Sequence, residues 1–242
     1  MKFIKIATST LLACAAFAAC GAWAGTDEVK KEVEKRFPDV KVDRVTKTVY
    51  GLYEVFLGTE IVYTDEAVNF LITGSLIDAA TRTNVTEARM NKLLAVKFAD
   101  LPFQQAIKLV RGNGQRQLAV FEDPNCGYCK RFEKDLNSMD NITAYIFPYA
   151  ILAEDSTDKA KSIWCSPDPL RAWQDQLMRE KPPVASTSCE NPVEKNYALG
   201  QKMRINGTPT MIFEDGERIP GAVSKERIEA RLVEASAKIA AK

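Results

Sequence analysis

Phe121-Glu122-Asp123-Pro124-Asn125-Cys126-Gly127-Tyr128-Cys129 is the stretch on which the fold turns. It leaves a strand-like segment, Gln117 to Phe121, and crosses a short polar connection. It then enters a helix-like segment, Cys126 to Leu136, with Cys129, Phe132 and Leu136 on one face. That order places Cys126 at a helix start. A thiol there meets unsatisfied backbone N–H groups and the positive end of the helix dipole, and both favour the thiolate. The thiolate is the form that attacks a disulfide sulfur. Cys129, three residues on, lies on the same helical face one turn deeper, where it reaches the sulfur of Cys126 without reaching solvent. The pair reads as a nucleophile with a resolving partner.

Downstream, Ile142 to Phe147 is strand-like, and Asp158 to Met203 is helical with broken periodicity. Gly207-Thr208-Pro209-Thr210 leads into a strand, Thr210 to Phe213. The Asp215-Gly216 turn and Arg218 to Pro220 then make a hairpin. Only ~5–6% of X-Pro bonds are cis in folded proteins, so residue identity alone leaves the Thr208–Pro209 bond open. Ser224 can cap a last helix carrying Ile228, Leu232 and Ile239. Upstream, Ile107 to Val110 is a further strand, joined to Gln117–Phe121 through the Arg111-Gly112-Asn113-Gly114 turn. Strands and helices in this order make an α/β domain.

The N-terminal part has a different character. Val29, Val33 and Phe37 recur every four residues in a short helix over 26–37. Strand-like segments at 47–57, 60–64, 67–73 and 75–79 follow, with Gly74-Ser75 as a hairpin turn. A module of one helix and a small antiparallel sheet buries little core and gains from association. A helical pattern from Thr86 to Phe98 is closed by Asp100-Leu101-Pro102 and reads as a linker, or as a surface helix of one continuous domain. The expected division is a signal peptide over 1–24, an N-terminal dimerisation domain over 25–85, a linker helix over 86–100 and a catalytic domain over 101–242.

Lys2 and Lys5, the apolar run Ile6 to Ala19 and the small-x-small site Ala22-Trp23-Ala24 have the order of a secretory signal. The run is shorter than the ~20 residues a spanning helix needs. Lys and Arg number 33 against 32 Asp and Glu, and two of the lysines leave with the signal. A near-neutral chain carries no electrostatic case for nucleic acid or an anionic membrane. The expected mature protein is soluble and exported.

Of six cysteines, Cys14 and Cys20 leave with the signal. Four remain, with three possible connectivities, and oxidised pairs are expected in an exported chain. The chain contains no histidine, which excludes Ser-His-Asp and Cys-His hydrolases and any zinc site that needs imidazole. The cysteine spacing does not match paired zinc knuckles, so no metal and no cofactor is expected. A static disulfide at 126–129 is the bland alternative there. At Cys165 and Cys189, which lack the helix-start arrangement, a structural disulfide is the favoured reading.

Phe121 to Cys129, Ile163-Trp164-Cys165, Ser188-Cys189, Tyr197-Ala198-Leu199-Gly200 and Asn206-Gly207-Thr208-Pro209 together resemble the bacterial periplasmic disulfide isomerases of the DsbC/DsbG family. The likeness covers essentially the mature chain. Cys-Gly-Tyr-Cys and Thr208 look like the DsbC branch, since DsbG carries proline inside the motif. The resemblance implies a thioredoxin-like C-terminal domain with an inserted helical subdomain, and a cystatin-like α+β N-terminal domain that dimerises. It implies Cys126 as attacking thiol, Cys129 as resolving thiol and Cys165–Cys189 as a structural bridge. Pro209 is implied to be cis against the active site, with Thr208 offering backbone to substrate and Gly127 and Tyr128 supporting the motif. The implied partners are unfolded or misoxidised exported proteins, a second copy of the chain and a DsbD-like membrane reductant, in the periplasm. Many relatives carry histidine after the second cysteine, where this chain has Lys130, so thiolate pKa and redox potential do not carry over. The competing functions are a DsbG-like reductase of sulfenic acids, a DsbA-like oxidant, and a holdase chaperone with secondary redox activity.

Overall fold

Val29 and Val33, one helical turn apart, bury the apolar face of α1 (Gly21–Arg36) in the computed structural model, which describes residues 21–241. Residues 1–20, where most of the expected signal peptide falls with Cys14 and Cys20, lie outside the described residues. The chain divides into two compact units after Ser75.

In the first unit, α1 covers an antiparallel sheet of β1 (Arg44–Lys47), β2 (Tyr53–Phe56), β3 (Ile61–Thr64) and β4 (Ile72–Thr73), in that order. Val45 lies opposite Val55, and Val55 opposite Val62, so β-branched residues stack across three strands. They close a core with Val29, Val33, Val42, Tyr53 and Val68. Lys30 Nζ donates to the Val42 carbonyl at 2.7 Å, and the Val42 N–H donates to Glu34 at 3.1 Å, tying the helix to the chain entering β1. Phe37, expected in the helix, lies beyond it and is exposed.

The strands are shorter than expected because side chains capture the backbone between them. The 47–57 segment splits at a turn in which the Thr48 hydroxyl donates to the Leu52 carbonyl at 2.8 Å and accepts the Leu52 N–H at 3.3 Å. Asp65 accepts the N–H and side-chain amide of Asn69, both at 2.7 Å, and winds most of 67–71 into a loop. Segment 75–79 is not a strand. The Leu76 N–H donates to Thr86 Oγ1 at 2.8 Å, Ile77 makes one bridge to Asn84, and Asp78 accepts from Ala80 and Thr81.

The first helix of the second unit is α2 (Val85–Leu93), capped by Asn84, whose side chain accepts the Glu87 N–H at 3.0 Å. The helix ends before the expected Phe98. The Val96 N–H is taken by the Gly216 carbonyl at 3.1 Å, a partner far away in sequence. Gly216 has φ +86°, and a Cβ there would sit 2.1 Å from the Val96 carbonyl oxygen, so only glycine allows this approach.

β5 (Ile107–Arg111), β6 (Arg116–Glu122), α3 (Gly127–Asn137) and β7 (Ile142–Pro148) follow. The helices α4 (Ser156–Trp164), α5 (Pro169–Arg179) and α6 (Val193–Lys202) form the inserted subdomain. β8 (Thr210–Phe213), β9 (Arg218–Pro220) and α7 (Lys225–Ala240) complete the chain. The sheet order is β5-β7-β6-β8-β9, with β6 and β7 parallel and the other pairs antiparallel. β5 and β6 are therefore not neighbours despite the short turn between them. The β6–α3–β7 crossover inserts β7 between them, the topology of a thioredoxin-like domain.

Alternation along β6 builds two cores. Leu118 and Val120 face Phe132 and Leu136 of α3, Trp173 of α5, and Ile228 and Leu232 of α7. Ala119 and Phe121 face Phe98, Phe147, Tyr149 and Ile205 on the other side, where Phe121 and Phe147 stack with ring centres 4.9 Å apart. Each such side chain gains ~1.5–3 kcal/mol from leaving water. With both faces covered, every residue from Leu118 to Glu122 is buried, and the strand delivers its C-terminal end rigidly to the cysteine loop. Ile239, expected on the buried face of the last helix, is exposed.

Candidate active site

Asp123 anchors the loop that presents the cysteines. Its buried carboxylate accepts the N–H of Asn125 and of Ile151, each at 2.7 Å, the Leu152 N–H at 2.9 Å and the Ser156 hydroxyl at 2.9 Å. Gln176 of α5 donates to the Pro124 carbonyl at 3.0 Å, and Lys159 of α4 to the Asn125 side chain at 2.7 Å. The inserted helices thus hold the loop between β6 and α3 in place.

Cys126 is the N-cap of α3. Its Sγ accepts the Cys129 N–H at 3.1 Å, the position a serine or aspartate oxygen takes in an ordinary cap. Its thiol faces the Thr208 carbonyl at 3.3 Å, next to the cis Thr208–Pro209 bond. Hydrogen bonding from the Cys129 side chain lowers the Cys126 thiol to about 6, with Thr208 and the backbone of Cys129 and Tyr128 adding to it against the opposing effect of burial. Cys129 is fully buried, and burial drives its thiol far above the ordinary range, reinforced by its hydrogen bond with Cys126 and the charges of Glu122 and Cys126. Both cysteines are free thiols here. At neutral pH the site therefore holds one thiolate over one thiol. The environment, more than the residue type, makes the two different.

Gly127 opens toward empty space, and Tyr128 is 70% exposed beside the sulfur. Lys130 pairs with Glu180 at 3.1 Å, and Cys126's lowered pKa is accounted for by its hydrogen bonds. Cys165 and Cys189 form a disulfide that joins the end of α4 to the loop before α6. They belong to the frame of the inserted subdomain, while Cys126, Cys129, Thr208 and Pro209 come together at the site.

Two residues of the site escaped the sequence reading. Glu122, the last residue of β6, and Glu133, one helical turn beyond Cys129 on α3, are both fully buried. Burial raises the Glu122 carboxyl well above the ordinary range, helped by Glu133 and by Cys126. Burial likewise raises Glu133, to about 7, although the Trp173 indole N–H donates to it at 3.0 Å. The available signal was positional. Glu133 stands at i+4 from Cys129, and Glu122 continues a run in which every residue is buried.

Among the described residues no group of three or more His, Cys, Asp or Glu side chains is placed to hold a metal ion, and no helix is long and apolar enough to cross a membrane. The chemistry the arrangement offers is thiolate attack on a sulfur.

Residues 103–236 match the model of the thioredoxin-like domain family, and residues 16–87 that of the disulfide bond isomerase protein N-terminal domain. The probable thiol:disulfide interchange protein DsbC of Bordetella parapertussis is 48% identical over 207 residues, which covers 85% of this chain and 74% of that protein. The thiol:disulfide interchange protein DsbC of Escherichia coli K12 is 28% identical over 179 residues, 72% of this chain and 73% of that protein. Among solved structures, a disulfide interchange protein from Neisseria gonorrhoeae superposes with a TM-score of 0.54 at 38% identity, over 56% of this chain and 98% of that one. With a thioredoxin-like domain, a disulfide-isomerase N-terminal domain and one thiolate poised over a buried thiol, the chain belongs to the DsbC family of thiol:disulfide interchange enzymes.

Proposed function

We propose that this protein is a periplasmic disulfide isomerase that works as a homodimer and rearranges mispaired disulfides in exported proteins. The observation that carries the reading is the inequality of the two thiols: Cys126 is lowered to about 6 at a helix start, and Cys129 is buried beneath it. The Cys126 thiolate attacks one sulfur of a client disulfide, the client S–S bond breaks, and the other client sulfur leaves as a thiolate. A client thiolate then displaces Cys126 and completes the rearrangement. Alternatively Cys129 displaces the client, which leaves reduced, and the Cys126–Cys129 disulfide forms. A membrane-bound reductant of the DsbD type returns the two electrons. Thr208 and the strand after it offer backbone to an extended client, and the exposed Tyr128 and Leu152 offer apolar contact.

Pairing of two chains is supported by the first unit. The outer edge of β4 has no strand partner among the described residues, and Phe70, Leu71 and Ile72 are exposed beside it. An open apolar edge of this kind favours pairing with a second strand. The same exposed apolar residues favour a holdase activity alongside the redox one.

The test is reactivation of a scrambled multi-disulfide protein by the reduced enzyme. Wild type and Cys129→Ala should restore client activity, and Cys126→Ala should not. Oxidation of client thiols without reshuffling, or suppression of aggregation that survives loss of both cysteines, would replace the isomerase reading with an oxidant or a holdase.

A further inference from the structure

Tyr149 stands directly after β7, is completely buried, and has no part in the chemistry described so far. Its backbone N–H donates to the Glu122 carbonyl at 2.7 Å, at the end of β6 where the chain turns into the cysteine loop. Its hydroxyl donates to the Ile205 carbonyl at 2.7 Å, three residues before Thr208. One residue therefore spans the two segments that meet at the site, the one leading to Cys126 and the one leading to Thr208 and Pro209.

The ring between these two ends is itself fixed. Phe121 meets it edge-on with ring centres 5.8 Å apart, and Gln201 of α6 donates to the hydroxyl at 2.8 Å. Gly200 gives the ring its room, since a Cβ there would lie 2.3 Å from Tyr149 Cε2. The last position of Tyr197-Ala198-Leu199-Gly200 thus has a physical reason: any side chain would push the ring away. From Met203 to Pro209 the chain is neither helix nor strand, and hydrogen bonds to its carbonyls pin it to the rest of the domain. Arg218 of β9 donates to Met203 at 2.9 Å, and the Gly221 N–H donates to Pro209 at 2.8 Å. Tyr149 supplies the anchor at Ile205, between those two and upstream of Thr208. Ile205 is buried, so its carbonyl depends on a donor from within the protein.

We propose that Tyr149 is a positioning residue, which holds the Thr208–Pro209 segment where an extended client can pair with it beside Cys126. This rests on the reading that Thr208 offers backbone to the client, and it names what keeps that backbone in place. Hydrogen bonds weaken steeply as their angle departs from the preferred one. A segment free to swing at Ile205 is competent to pair for only part of the time, and the apparent affinity for the client falls by that fraction. A small disulfide has no chain to lay along Thr208, so its attack by Cys126 depends less on the segment. Tyr149 therefore sets the preference of the site for extended polypeptide over small disulfides.

The measurement is rapid mixing of the reduced full-length mature protein with two disulfides that release the same coloured aromatic thiol. One is the small symmetric aromatic disulfide. The other joins that thiol to a cysteine in the middle of an extended peptide, and attack by Cys126 on the peptide sulfur releases the colour. In Tyr149→Phe the ratio of peptide to small-disulfide rate constants should fall by at least about fivefold, the order of one backbone hydrogen bond. The fall should lie in the half-saturating peptide concentration more than in the limiting rate. Gly200→Ala, which displaces the ring, should lower the same ratio, and it decides the matter should Tyr149→Phe fail to fold. An unchanged ratio, whether both rate constants hold or fall together, overturns the proposal. A third probe is the same peptide N-methylated beside its cysteine, which should react more slowly than the parent peptide with wild type. Equal rates there would instead remove the Thr208 reading on which the proposal stands.

Discussion

The backbone N–H of Cys129 donates to the sulfur of Cys126 across 3.1 Å, while the Cys129 thiol itself is fully buried. One residue thus holds the charge of its partner and is kept uncharged by its surroundings. Alkylation of the reduced protein should modify one thiol only, with a rate that rises as pH increases through about 6 and then levels off. In Cys129→Ala the midpoint should move upward, because the thiol donor is lost, but stay below the ordinary thiol value, because the backbone N–H remains. Rate against pH for a neutral alkylating agent checks both.

Asp123→Asn should destabilise the protein by about 2–3 kcal/mol. Asp123 accepts four hydrogen bonds, from Asn125, Ile151, Leu152 and Ser156. An amide in its place turns an NH₂ group toward N–H donors. Urea unfolding reads the loss, and the alkylation midpoint of Cys126 reads any loosening of the loop.

Replacing Cys165 and Cys189 together by alanine opens a disulfide with a sequence separation of 24. The chain-entropy model puts the cost at about 3.5 kcal/mol. Stability should fall accordingly in denaturant titrations, while the folded fraction keeps its Cys126 alkylation profile, since the bridge lies outside the site.

Gly216→Ala should cost at least about 1–3 kcal/mol, through a strained positive φ and a clash with the Val96 carbonyl. Thermal unfolding should show the loss. Local hydrogen exchange should rise around residues 94–98, which Gly216 holds in place.

Glu122 also makes a pH signature in stability. Its folded pKa is raised, so the folded protein keeps a proton that the unfolded chain gives up above ordinary carboxyl pKa values. The resulting stability is present at low pH and is lost as pH rises, by up to about 1.4 kcal/mol per pH unit. Glu122→Gln has no such proton. Its Tm relative to wild type should therefore climb between pH 5 and pH 8, and a flat difference would contradict the buried, protonated state.

Local features of this protein were legible in the residues. Strand, polar connection and Cys126 as helix start follow from period and position, and Ser224 does cap α7, accepting the Arg227 N–H. Asn84 caps α2 in the same way. These are contacts within a few residues, where spacing determines geometry. The boundaries of the N-terminal strands were less legible, because Thr48, Asp65 and Asp78 draw the backbone into turns that compete with pairing.

The amino-acid sequence by itself determined the periods, the helix start at Cys126 and the α/β order. Those depend on local sterics and on which face of an element is apolar. Only the tertiary structure decided that β7 lies between β5 and β6, that Val96 leaves its helix for Gly216, and that Glu122 and Glu133 meet beneath Cys129. Each of these is a contact between residues separated along the chain. Its energy comes from burial and from partners that no local pattern contains.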